Sequence, residues 1–113
     1  MELNFNKVAK HYLTVTLLEP DNRKFMVGTP NKNLLDKIMA MDTKIKTENI
    51  DENNLSNFDS DELYNICGEI MSVNKTKTLI TGKELGELWD VEDLFLFFNT
   101  YMTFLDSIAN AKN

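Results

Sequence analysis

Apolar and polar residues alternate near the start of the chain, within residues 12–28. Leu13, Val15 and Leu17 alternate with two threonines, which is the period of a half-buried β-strand. The turn-forming run 19–22 follows (Glu-Pro-Asp-Asn), where proline presets φ and Asp and Asn favour caps or the left-handed region. The apolar pattern then resumes, so the sequence predicts a β-hairpin at about residues 12–28.

Through most of the remaining chain, apolar residues recur every three or four positions, as on one face of an α-helix. Each stretch follows a candidate N-cap: Thr29 before Pro30, Asp59 with Glu62, Thr81 with Glu84, and Asp90. The predicted helices cover about residues 30–46, 60–73, 82–89 and 91–109. The polar, asparagine-rich stretch 47–57 predicts a flexible loop. We therefore expect an α+β fold in a single domain over residues 1–113, with an N-terminal β-hairpin followed by a mostly helical cluster of about four helices.

The last predicted helix has an apolar face that covers about half of its circumference. A helix packed only on a small core needs a stripe nearer 100° wide. The core is expected to take up Phe95, Phe98, Tyr101 and Met102. The surplus apolar surface needs a cover, so we predict a partner-binding surface formed by Phe97, Tyr101, Phe104, Leu96 and Trp89.

The charge balance narrows the classes of partner. Twelve basic and 18 acidic residues give a net charge of −6, which argues against a protein that tracks nucleic-acid phosphates. Residues 1–46 carry +3 and residues 47–113 carry −9, an asymmetry that suits self-association or a basic partner, although a solvated acidic face explains it as well. No run approaches 18 apolar residues and the first residues have no signal-peptide character. We expect a cytoplasmic protein that binds no membrane.

Candidate catalytic chemistry is sparse. The four glycines have neither P-loop nor dinucleotide spacing. The single Cys67 and the single His11 are 56 positions apart, and Cys67 lies on the apolar face of its predicted helix, so it is expected in the core. The acidic pairs open helices, where capping explains them. We expect no enzyme activity, no cofactor and no metal site, and hence a binding protein.

Three segments taken together resemble the small tail assembly chaperones of long-tailed bacteriophages and prophages from low-GC Gram-positive bacteria. They are YLTVTLLEPDNRKFMVG (12–28), DELYNICGEIMSVNK (61–75) and WDVEDLFLFFNTYMTFL (89–105). The resemblance lies in the order of the elements and the style of each segment, and it covers most of the chain outside the 47–57 loop.

The resemblance implies a non-enzymatic role in the cytoplasm of the host cell. Members of that family bind the tape measure protein, keep this long helix-rich client soluble, help recruit tail tube subunits and are absent from the mature virion. Such a coat needs exposed apolar surface in many copies, which the last helix would supply, with self-association expected. Acidic bulk would suit a basic client.

A second reading stays open: a small acidic inhibitor from a phage or mobile element that binds a host protein, acting as a nucleic-acid mimic. The −9 charge of residues 47–113 fits mimicry. However, mimics display their acids as an exposed array, whereas these acids concentrate at helix caps.

Overall fold

The computed structural model of the chain describes residues 10–17, 21–55 and 58–111. In that part of the chain, an N-terminal two-stranded antiparallel hairpin is followed by four helices, which confirms the predicted α+β fold. The strands are β1 (Leu13–Leu17) and β2 (Arg23–Val27), and the helices are α1 (Lys32–Thr47), α2 (Ser60–Met71), α3 (Gly82–Leu88) and α4 (Val91–Ala111).

The hairpin has the sidedness that its alternation predicts. Leu13 pairs with Val27 and Leu17 pairs with Arg23. Leu17 and Val27 are buried, while the two threonines of β1 face solvent. In the connecting turn Asn22 takes a φ of 54°, as expected for an asparagine that enters the left-handed region. The predicted turn residues 19 and 20 lie outside the described residues.

Side-chain caps fix where the helices begin. Oxygen atoms of Asp59 and Thr81 accept hydrogen bonds from backbone amides of the first turns of α2 and α3, as predicted. The prediction that Thr29 caps α1, with Pro30 in its first turn, is wrong. Asn31 is the cap, because its Oδ1 accepts from the amide of Leu34 at 2.9 Å, so the proline precedes the helix.

The hairpin covers one side of the helical cluster. Phe25 and Val27 point into the core, which they share with buried residues of all four helices. The amide of Gly28 donates to the carbonyl of Val73 just after α2, at 2.7 Å. Through these contacts the outer edge of β2 is joined to the segment that follows α2.

The segment after α1 has a more defined local structure than its polar composition suggests. Ile50 is buried, the backbones of Asp51 and Asn54 form an antiparallel bridge, and the Asn54 side chain donates to the carbonyl of Asn49 at 2.7 Å. Residues 56 and 57 lie outside the described part. The flexibility of this loop stays a prediction.

None of the described helices combines the length and the apolarity that crossing a lipid bilayer requires.

Candidate functional site

Four aromatic rings form a row that begins at the C-terminal end of α3 and continues along α4. The ring centroids of Trp89 and Phe97 are 5.1 Å apart, those of Phe97 and Tyr101 are 6.1 Å apart, and those of Tyr101 and Phe104 are 5.7 Å apart. These spacings are typical of interacting aromatic side chains. The row therefore brings together four of the five residues that the sequence analysis assigned to a partner-binding surface.

The structure corrects the accessibility of that surface. Phe97 is only 7% exposed and Tyr101 is completely buried, so the expectation that they present a free surface is wrong. The reason is that the hairpin end packs here, with the Tyr101 hydroxyl donating to the Gly28 carbonyl at 2.9 Å. Trp89 and Phe104 are half-buried.

Leu96, the fifth predicted residue, is 68% exposed. It lies at the rim of a groove of about 430 Å³, which we call the β1–α4 groove. One wall of this groove is strand β1 and the other is α4, and its lining consists of Leu13–Leu17, Leu88, Trp89, Asp93, Leu96, Phe97 and Thr100. Three of the predicted partner-binding residues thus line one concave, mostly apolar site.

Strand β1 exposes one unpaired edge to this groove. Within the described residues the sheet has two strands, so β1 pairs with β2 alone. The other edge of β2 is partly covered, because Lys75 donates its amide to the Met26 carbonyl at 3.0 Å and Val27 bridges to Asn74. The outer edge of β1 therefore leaves backbone donors and acceptors available to a ligand.

Hydrogen bonds hold the acidic end of the groove in place. The Asp90 side chain accepts from the Asp93 amide at 2.8 Å, and the Asp93 side chain accepts from the Asp90 amide at 3.2 Å. The Tyr64 hydroxyl donates to the carbonyl of Trp89 at 2.8 Å. Burial, followed by the charges of Asp90 and Asp93, raises the pKa of Tyr64, so this hydroxyl keeps its proton at neutral pH.

Reactive groups near the core offer little chemistry. Cys67 is completely buried in α2 and burial raises the pKa of its thiol strongly, so the thiolate needed for nucleophilic attack is disfavoured. His11 is exposed, in the short segment before β1. Among the described residues no three His, Cys, Asp or Glu side chains are grouped so that they could hold a metal ion.

Sequence reasoning missed the part that β1 plays in the groove. It identified the strand from its alternation but assigned the site to α4 and Trp89 alone. A usable signal was present, because edge strands are normally protected by lysine or proline, and Leu13–Leu17 contains neither. An unprotected strand beside a helix with surplus apolar residues indicates a shared site.

No protein-family model matches this chain, and no curated protein or solved structure does. The case for a function therefore comes from the groove and from the segments that resemble the chaperone family.

Proposed function

We propose that this protein is a non-enzymatic tail assembly chaperone of a long-tailed bacteriophage. It acts in the host cytoplasm, binds the tape measure protein in several copies and keeps it soluble. It helps to recruit tail tube subunits and is absent from the mature virion. The observation that carries the proposal is the β1–α4 groove, an open apolar site of the kind that a client-binding protein needs.

The apolar character of the groove supports binding to a client that is insoluble alone. Seven of its eleven lining residues are apolar, and Leu96 at the rim is largely exposed to water. Exposed apolar surface rimmed by polar residues marks protein interaction sites. Covering Leu96 and the half-buried Trp89 with client side chains would remove apolar area from water on both partners.

Net charge supports the same role. A charge of −6 on each copy keeps a multi-copy coat dispersed by mutual repulsion and attracts basic segments of a client. The chaperone would thus use apolar contacts for affinity and its acidic surface for solubility.

The experiment is co-expression with the tape measure protein encoded in the same gene cluster, followed by size exclusion with light scattering. We expect a soluble complex with several copies of this chain per client, whereas the client expressed alone pellets. A client that stays insoluble, with this chain eluting alone, would remove the proposal.

The inhibitor reading receives less support from the arrangement of acidic residues. Asp59 and Asp90 cap helices, and Glu69 of α2 pairs with Lys37 of α1 at 3.0 Å. Salt distinguishes the two roles, because nucleic-acid mimicry weakens steeply with ionic strength. A complex that survives about 0.5 M salt, where the Debye length is under about 5 Å, is expected for the chaperone and contradicts mimicry.

A further inference from the structure

We propose that the β1–α4 groove takes an extended segment of the client, which pairs with the outer edge of β1 as a third strand and directs a basic residue to Asp93. This inference rests on the proposed chaperone function and names the form in which the client is held. The client is called helix-rich, so the inference specifies that the bound segment is not one of its helices.

The backbone edge of β1 determines the form of the ligand. Leu13–Leu17 has no strand partner on this side within the described chain, and its residues are all β-prone or apolar. An extended peptide satisfies such an edge with main-chain hydrogen bonds. An α-helix does not, because its own backbone groups are already paired.

The opposite wall favours a single strand over a second hairpin. Asp93, Leu96, Phe97 and Thr100 lie on one face of α4 across from β1, since helix positions three and four apart are neighbours. A segment paired with β1 has α4 on its other side. If a second copy paired through its own β1, its β2 would have to occupy the place of that helix.

The apolar residues of the groove select the side chains of the segment. Side chains of a strand alternate between two faces, so every second residue of the ligand points toward the apolar floor that includes Phe97 and Trp89. The intervening residues point to the solvent side, where Thr14 and Thr16 of β1 are exposed. The expected ligand alternates apolar and polar residues over about five positions, the length of β1.

Charge fixes the end of the segment. Tyr101 bonds to Gly28, next to the β2 residue that pairs with Leu13, and Asp93 lies eight residues earlier in α4, about 12 Å along the axis. Asp93 therefore marks the Leu17 end of the groove, and it is the single charged residue of the lining. With its carboxylate held by the reciprocal cap, it complements a lysine or arginine at that end of the ligand.

The test uses overlapping 12-residue peptides that cover the tape measure protein of the same gene cluster, with binding to the full chain followed by fluorescence anisotropy. In the best-binding peptide, each backbone amide is then methylated in turn. We expect a period of two, with loss of binding by about tenfold or more at the amides that face β1 and little change at those between. Methylation effects without that period would overturn the inference.

Substitutions in the protein provide matched controls. Leu96→Lys at the groove rim is expected to weaken the peptide by about tenfold, while Leu79→Lys, at another exposed leucine, stays within about twofold. The two leucines are 68% and 76% exposed, so neither variant disturbs folding. Asp93→Asn keeps a cap acceptor, and we expect about threefold weaker binding at low salt, with the difference vanishing at high salt.

The remaining outcomes separate this inference from the proposed function. A soluble client complex that Leu96→Lys leaves intact retains the chaperone function and overturns the groove as its site. A bound peptide that circular dichroism shows to be helical overturns the strand. A dimer of this chain that Leu96→Lys converts to a monomer, with every peptide unbound, assigns the groove to a second copy and overturns the inference. Absence of any client complex refutes the proposed function itself.

Discussion

The hydroxyl of Tyr101 donates a 2.9 Å hydrogen bond to the backbone carbonyl of Gly28, 73 positions earlier in the chain. Tyr101 is in the middle of α4 and is completely buried, while Gly28 directly follows β2. This one contact ties the end of the hairpin to the helix that forms the other wall of the groove. It therefore helps set how far β1 stands from α4.

We expect Tyr101→Phe to lower the free energy of unfolding by about 1–2 kcal/mol. The change removes one hydrogen bond and leaves the Gly28 carbonyl without that partner, a loss of this order for a buried acceptor. Urea denaturation followed by circular dichroism measures it. Because the phenyl ring still fills the site, the denaturant m-value should not change. A loss below about 0.3 kcal/mol would show that water replaces the hydroxyl at Gly28.

Alkaline pH should destabilise the protein partly through the same residue. Burial raises the pKa of Tyr101 above its ordinary value of 10.0, so the folded state holds this proton more tightly than the unfolded state. Its contribution is fully present below about pH 10 and is lost as the pH rises toward the folded-state pKa. Wild-type stability should thus fall above pH 10.

The control for this pH effect is Tyr101→Phe, whose stability should fall less steeply above pH 10. The decline should not disappear, because burial also raises the pKa values of Tyr64 and Cys67. Denaturation midpoints between pH 8 and 11 provide the measurement. Equal slopes for the two proteins would mean that Tyr101 ionises without unfolding the site.

Two neighbours on α4 should respond oppositely to truncation. We expect Phe97→Ala to cost about 3–4 kcal/mol, as for a large buried aromatic side chain. Leu96→Ala should change stability by no more than about 0.5 kcal/mol, because this side chain is mostly in water already. Thermal or urea unfolding of both variants measures the pair. Similar losses at the two positions would contradict the orientation of α4.

The position of Phe97 shows where sequence periodicity stops being informative. Helical spacing places Phe97 at the margin of the apolar face of α4, and it correctly places Phe95 and Phe98 in the core. Whether a marginal residue is covered depends on what packs there. Here the cover comes from the hairpin, an element more than 70 positions away that local spacing does not report.

Predictability follows the range of the interaction in other parts of the chain. The cap at Asp59 and the alternation in β1 depend on a few consecutive residues, and both were predicted. Asn74 was not. Its side chain is buried, donates to the carbonyls of Met71 and Thr78 and accepts from the Thr78 amide, so it organises the turn after α2. In the sequence this residue looks like any polar helix breaker.

The contact between α2 and α3 also depends on residues that the sequence leaves inconspicuous. A Cβ atom on Gly68 would lie 2.6 Å from the amide nitrogen of Gly82 and 2.8 Å from the carbonyl carbon of Thr81. Both are backbone atoms, so no side-chain rotation relieves the overlap. The absence of a side chain at Gly68 thus allows the start of α3 to approach α2 closely.

We therefore expect Gly68→Ala to lower the free energy of unfolding by at least about 2 kcal/mol through overpacking. The matched control is Gly86→Ala in α3, where an added Cβ meets no atom within 4 Å and should stabilise the helix by about 0.5–1 kcal/mol. Urea denaturation of both variants gives the two signs directly. Because alanine has the higher helix propensity at both sites, a stabilised Gly68→Ala protein would mean that α2 and α3 are further apart than the structure places them.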